Sequence, residues 1–314
     1  MCKVKYFICP MSKNIVDSVI EMNTDKLGLL PSRRQIDYNG GYVHNWNTKS
    51  FVKYVKNLSP NLIIERDHSG ELQGDGNHFY SYEDDSESVD IVHVDPWIKH
   101  KDLKDGIKTT VDTIKHIYSL NKNVQFEIGT EESIRPFTVQ ELDYMIEYLH
   151  DTLSSDIVGK ITYVCIQSGV KLDIINQKNI GEFDLDKLKK MINLCRFFGK
   201  KSKEHNGDYL TDDEIKSRFD NGLNALNIGP EIAQIETQTY IDFMTSKEID
   251  TFYHICYKSK KWIKWVPKNY KFTNVEELIK VCGHYNFNQL DMEDIHDIVK
   301  ENIKDKLNQL LKNV

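Results

Sequence analysis

The chain has 314 residues, 39% of them apolar, and its 48 Asp and Glu outnumber 41 Lys and Arg for a formal net charge of −7. That is enough apolar material for a large core, either two domains or one α/β barrel of about 250 residues with an appendage, and the acidic balance excludes a nucleic-acid protein held by bulk positive charge. No apolar run approaches the roughly 18 residues of a membrane helix, the first residues lack the apolar stretch and cleavage site of a signal peptide, and Cys2, Cys9, Cys165, Cys195, Cys256 and Cys282 show no CxxC spacing; the expectation is a cytoplasmic chain with free thiols, without disulfides or a cysteine zinc site, and with neither membrane nor nucleic acid as partner.

Residues 5–9 form a short apolar run that predicts a first strand, and Ile15, Val19 and Ile20 give residues 14–21 helical spacing. A second strand over 27–30 runs into Pro31, Arg33 and Arg34, and the NGG turn at 39–41 precedes a helix over 48–58 with Thr48 as its N-cap. The third strand, 62–66, delivers adjacent Asp67 and His68 and then a glycine turn. Residues 69–88 read as a long polar loop, with the acidic stretch 82–88 its most disordered part. The fourth strand, 90–94, places His93 and Asp95 on one face by period-2 alternation. An amphipathic helix over 105–120 follows, then a strand over 124–128 leading to Glu131, and a helix over 138–149. The sixth strand, 161–166, ends at Gln167, and a helix covers 186–198. Residues 200–209 make a poor strand by composition and are assigned as one because the alternation demands it. A helix over 212–221 with Thr211 as N-cap, a strand over 223–228 and a helix from Glu231 complete eight strand–helix units. Eight such units predict a (β/α)8 TIM barrel over residues 1–245. Residues 246–314 change character: a stretch rich in aromatic residues and lysine over 253–272, then two helices, read as a C-terminal helical extension packed on the barrel.

In such a barrel the strand ends converge on one mouth. They carry Gln35, Asp67, His68, His93, Asp95, Glu127, Glu131, Gln167, Glu204, His205 and Asp208. Two histidines with several carboxylates suit a divalent metal with nitrogen and oxygen ligands and an open position, Zn2+ above others. The plainer alternative for each is a loop hydrogen bond or a satisfied core histidine. Lys203 reads as a charge partner for a substrate anion. Gly229, followed by Pro230 in a first helical turn, is the preferred phosphate position, and Arg33 and Arg34 suit a phosphate or carboxylate.

Taken in order, QIDYNGGY at 35–42, DHSG at 67–70, VHVD at 92–95, EIGTE at 127–131, IQSGV at 166–170, KEHNGDY at 203–209 and NIGP at 227–230 resemble the tagatose-bisphosphate aldolase accessory-subunit family, related to the class II, metal-dependent sugar-phosphate aldolases. The resemblance spans roughly residues 5–240, with WIKWVP at 262–267 similar to that family's aromatic tail. It implies an aldolase-like barrel in which Asp67 is the general acid/base, His68 and His205 are metal ligands, and Glu131 assists enolate chemistry. The chain departs from the aldolases at Gln167, where they place a metal-binding histidine, and after His205, where NGDY replaces a glycine-rich phosphate turn. The resulting expectation is a divalent metal at His68 and His205, completed by Asp95, Glu131 or Gln167. Gln35, Arg33, Arg34, His93, Lys203, Asp208 and Gly229 would then bind a phosphorylated or otherwise anionic ketose, for aldol cleavage, condensation or retro-aldol epimerisation. The alternative is a non-catalytic subunit stabilising a partner aldolase; a homo-oligomer is the other assembly in view.

Overall fold

The computed structural model describes residues 3–314. Eight parallel strands close into a barrel: β1 Tyr6–Ile8, β2 Leu27–Leu29, β3 Ile63–Ser69, β4 Ile91–Val94, β5 Gln125–Ile128, β6 Ile161–Ile166, β9 Lys201–Glu204 and β10 Ala225–Ile228. They stand in chain order around the ring, and β1 closes it by pairing Phe7 with Gly28 on one side and Asn227 on the other. A small hairpin, β7 Leu172–Asp173 with β8 Lys178–Asn179, lies in the connection after β6. The helices between strands are α1 Lys13–Glu21, α2 Thr48–Leu58, α3 His78–Ser88, α4 Leu103–Leu120, α5 Val139–Thr152, α6 Ser155–Val158, α7 Leu185–Phe197 and α8 Asp212–Asp220, and α9 Pro230–Phe243 follows β10. The chain then adds α10 Ser246–Ser259, a 3-10 turn Lys261–Trp265, α11 Val275–Cys282, a second 3-10 turn Gly283–Gln289 and α12 His296–Leu311. Among the described residues no helix is long and apolar enough to cross a membrane, and no disulfide forms; Cys2 lies outside the described residues.

Alternation along the strands divides the core in two. Tyr6, Ile8, Ile64, Val92, Val94, Phe126, Val164 and Leu226 face the helices and join the main apolar core. Val4, Phe7, Leu30, Ile91, Tyr163 and Ala225 form a separate cluster, the floor of the barrel interior. Gly28 makes room there, since a Cβ would stand 3.0 Å from the Phe7 ring and 3.2 Å from the Ile63 carbonyl oxygen.

Three local expectations change. The acidic stretch at 82–88 is not a loop but most of α3. Its buried face is Ser81, Tyr82, Asp85 and Ser86, mostly polar, so hydrophobic periodicity does not reveal it. Asp85 pairs with the fully buried Arg66 at 2.8 Å, and Ser81 donates to Asp37 at 2.6 Å. Asn47, rather than Thr48, caps α2, because the Thr48 hydroxyl accepts from the Arg66 guanidinium at 3.0 Å. β3 runs on past Arg66 through Asp67 and His68, with a bulge against β4, where Arg66 to Ser69 spans Val92 to Val94. The one extra residue and the left-handed backbone of His68 (φ +43) re-aim that side chain at the mouth.

The polar run Lys201–Glu204 is a strand because each buried charge has a partner. Lys203 points inward to Glu65 and Glu127, while outward-facing Glu204 accepts from Arg218 at 2.8 Å and from the Ser168 backbone at 2.7 Å. The C-terminal helices share the barrel's apolar core. α12 buries Val299, Ile303, Leu307 and Leu310 against α1 and α9, and the Tyr6 hydroxyl donates to the Leu310 carbonyl at 2.8 Å.

Candidate active site

Above the apolar floor the barrel interior is charged. Glu65 on β3, Glu127 on β5 and Lys203 on β9 meet with no solvent exposure, the ammonium 2.8 Å from Glu65 and 2.7 Å from Glu127, and 4.2 Å above the centre of the Phe7 ring. Burial pushes the Glu65 carboxyl well up, and Glu127 beside it adds to this. Burial acts on Glu127 in the same sense, but Lys203 and the nearby histidines outweigh it and hold that carboxyl well below the usual range. The two carboxylates keep Lys203 charged despite burial. Lys203 is therefore sealed inside the barrel rather than displayed at its mouth.

The next layer up is a triangle of imidazoles. Ring centres of His68, His93 and His205 lie 5.0, 5.1 and 5.0 Å apart, taking His68–His93, His68–His205 and His93–His205 in turn. β3, β4 and the residue after β9 supply them, with Asp67 beside them, and one potential ligand atom from each of the four residues falls within 4.8 Å of the others. Each ring is held from outside by an oxygen. His68 Nδ1 is 2.6 Å from Asp95 Oδ2, His93 Nε2 donates to the Gly129 carbonyl at 3.0 Å, and His205 Nε2 is 3.0 Å from Glu127 Oε1. Such outer partners fix tautomer and ring orientation and are the usual second layer of a metal site. The donor set of three imidazoles and a carboxylate fits a divalent ion of the zinc type.

Charge is uneven across this layer. Burial opposes ionisation of Asp67, but His68, His93 and His205 overcome it and bring the carboxyl to about 2. Burial likewise opposes protonation of His68, yet Asp67, Asp95 and Glu131 raise it to about 10. Burial lowers His205. A cationic His68 imidazole and an anionic Asp67 carboxylate thus face each other where a divalent ion would sit.

The other expected site residues separate. Asp95 Oδ2 accepts from Gln73 at 3.1 Å and Thr130 at 2.9 Å besides holding His68, so it stands behind the histidine. Gln167 is not brought to the triangle: its oxygen accepts from the Phe137 backbone at 2.7 Å and its amide donates to the carbonyls of Thr130 and Arg135 at 2.8 and 2.9 Å. Glu131 stays at the mouth, 3.9 Å from His68 Nε2 and accepting from Asn206 at 2.6 Å. Gln35 accepts from the Ser32 backbone at 2.8 Å. Arg33 is buried and spent on Asp37 and the carbonyls of Gly70 and Gly76, whereas Arg34 is exposed. Asp208 and Gly229 occupy each other: the Asp208 carboxylate accepts from the backbone of Gly229 at 2.8 Å and Glu231 at 2.9 Å, at the N-terminus of α9. The position read as a phosphate seat is already filled by the chain's own carboxyl group, which burial and then Glu231 push up to about 7. Sequence reasoning placed His93 with the substrate rather than in the triangle, and it missed Glu65. The signal for Glu65 is the alternation of Glu65 and Asp67 along an otherwise apolar strand, which turns both inward.

No family model and no curated protein matches this sequence. Solved structures do. A protein from Sinorhizobium meliloti 1021 described as a probable tagatose 6-phosphate kinase superposes with TM-score 0.71 at 12% identity, over 96% of this chain and 86% of that one. Fructose-bisphosphate aldolase from Campylobacter jejuni gives 0.61 at 11%, over 99% and 89%. The fructuronate-tagaturonate epimerase UxaE from Cohnella laeviribosi gives 0.62 at 8%, over 99% and 81%. Identities this low speak for architecture alone, and by its architecture the chain is a (β/α)8 barrel.

Proposed function

We propose that the chain is a metal-dependent enzyme that cleaves, forms or epimerises an anionic open-chain sugar by aldol chemistry. The observation that carries this reading is the imidazole triangle beside Asp67, each ring braced by an oxygen behind it. His68, His93 and His205 would hold the ion, His93 releasing its 3.3 Å contact from the His68 backbone N–H. His93 takes the place that the sequence reading gave to Asp95, Glu131 or Gln167, each of which is engaged elsewhere. A divalent ion there would polarise the substrate's carbonyl and stabilise the negative charge that develops as the neighbouring carbon–carbon bond breaks.

The remaining chemistry belongs to side chains. Asp67, ionised at neutral pH, accepts the proton of the substrate hydroxyl whose carbon is released, and returns it in the reverse direction. Glu131 stands across the mouth to handle the proton on the carbon next to the carbonyl. Asp95 and Glu127 orient the histidines, and Lys203 with Glu65 keeps Glu127 in place.

The test is elemental analysis of the purified protein and of His205→Ala, followed by a screen of ketose phosphates and ketose acids for cleavage and epimerisation. One divalent ion per chain, lost in the variant, together with turnover of such a sugar, is expected. A chain that takes up no zinc, manganese or cobalt contradicts the metal assignment. A loaded chain without turnover, co-purifying with a second aldolase, transfers the reading to a stabilising subunit.

A further inference from the structure

The familiar places for a substrate anion are spent in this chain. The α9 N-terminus holds Asp208, Arg33 is tied to Asp37 and two carbonyls, and Lys203 is sealed below the histidines. Arg34 and Lys264 are cations left without an ion pair. Arg34, in the turn after β2, is exposed, and its recorded side-chain contact is a long one, 3.4 Å to the Leu72 carbonyl. Lys264, in the first 3-10 turn of the C-terminal extension, lies over the rings of Trp265 and Tyr285 at 4.4 and 5.1 Å. Among the described residues neither pairs with a carboxylate within ion-pair distance.

Aromatic packing brings the two together. The Tyr42 backbone N–H donates to the Arg34 carbonyl at 3.4 Å, the Tyr42 ring lies 4.6 Å from that of Tyr285, and Tyr285 accepts from the Trp265 indole at 3.2 Å. The β2 loop and the extension thus interlock through Tyr42 and Tyr285, each carrying one cation. Partial burial, then Arg34 and Lys261, lower the Lys264 ammonium to about 8, against Asp75 on the other side. His284, 3% exposed and without a hydrogen-bond partner on either nitrogen, packs 4.0 Å from Tyr285. Burial and the charge of Lys264 hold it neutral, at about 3.

We infer that Arg34 and Lys264 form an anion subsite at the rim of the barrel mouth, with the C-terminal extension supplying half of it, and that the subsite takes the phosphate or carboxylate of the substrate. The register supports this. Ser32 pairs with Asp67 in the sheet, so the Arg34 backbone lies within about 7 Å of the level of Asp67, the scale of an open-chain six-carbon sugar reaching from its reacting carbons to its end. Arg34 forks the anion's oxygens and Lys264 adds a point charge. Assigning the anion to the substrate rests on the function proposed above; the anion site does not.

The experiment is calorimetric titration of the full chain, stripped of metal with EDTA, with inorganic phosphate and separately with acetate at low ionic strength. Wild type is compared with Arg34→Met, Lys264→Met, Lys264→Glu and, as a control, Lys268→Met, with thermal melts to establish that each is folded. One phosphate or acetate should bind per chain, at least tenfold more weakly in either methionine variant, not measurably in Lys264→Glu, and unchanged in the control. The anion that shows this pattern tells a sugar phosphate from a sugar acid. Absence of binding to wild type, or binding indifferent to both Arg34 and Lys264, overturns the subsite. Since no metal is present, failure of the metal assignment leaves this result standing, and failure here leaves the metal content untouched.

Discussion

At the scale of single residues, the site depends on groups that differ in what they face. Asp67 is surrounded by three imidazoles and stays ionised; Asp67→Asn keeps the shape and removes the base. Turnover of the sugar found by screening should fall by about 10²–10⁴-fold with metal content unchanged, as followed by steady-state kinetics and elemental analysis. Lys203 makes the opposite kind of contribution. Lys203→Met would strand Glu65 and Glu127 in the barrel without a counter-charge, at a cost of roughly 3–5 kcal/mol in urea unfolding, and would loosen the brace on His205. Adding Glu65→Gln should recover part of that loss, because the second acidic group beside the buried Glu127 is then gone. No recovery would mean that the three groups do not act as a unit. Asp67 and His68 announce themselves in the sequence as adjacent titratable groups at the end of an apolar strand. The role of His93 does not, because a histidine within IVHV reads equally well as packing.

At the scale of elements, the least expected is α3. Of its buried face only Tyr82 joins the apolar core, and a buried ion pair ties it to β3. Asp85→Ala leaves the Arg66 guanidinium buried without its carboxylate, and should cost roughly 3–5 kcal/mol, while replacing both partners by apolar residues should cost far less. Equilibrium denaturation of the single and double variants checks this, and equal losses in both would remove the ion pair as the reason for the helix. β9 teaches the same lesson from the other side, since its charges look unsuited to a strand until Glu65, Glu127 and Arg218 are seen around it. Partners so distant in sequence cannot be paired by local pattern.

At the scale of the molecule, the C-terminal helices complete the barrel's outer layer. Ile303→Ala in α12 should cost about 2–5 kcal/mol if extension and barrel unfold as one, and a single urea transition by circular dichroism and tryptophan fluorescence would show that unity. Glu236 on α9, 1% exposed, adds a pH dependence by joining α9 to the start of α1. It accepts from Ser12 and, at 2.8 Å, from Asn14. Burial outweighs these bonds and raises its carboxyl from 4.5 to about 7. A raised carboxyl pKa gives stability that is complete below pH 4.5 and lost as pH rises through about 7, up to roughly 3 kcal/mol. Stability of the wild type relative to Glu236→Gln should therefore fall across that window, and parallel pH profiles would contradict it. The sequence by itself determined the alternation of strands and helices, and hence the barrel, because period-2 and period-3.6 burial is written locally in which residues are apolar. It also placed titratable groups at the strand ends. Only the tertiary structure decided which of them meet: that His93 joins His68 and His205, that Gln167 is spent on backbone and Arg33 on Asp37 and backbone, and that Asp208 fills the helix terminus read as a phosphate seat. Those outcomes turn on distances between residues far apart in the chain, and ring closure sets those distances.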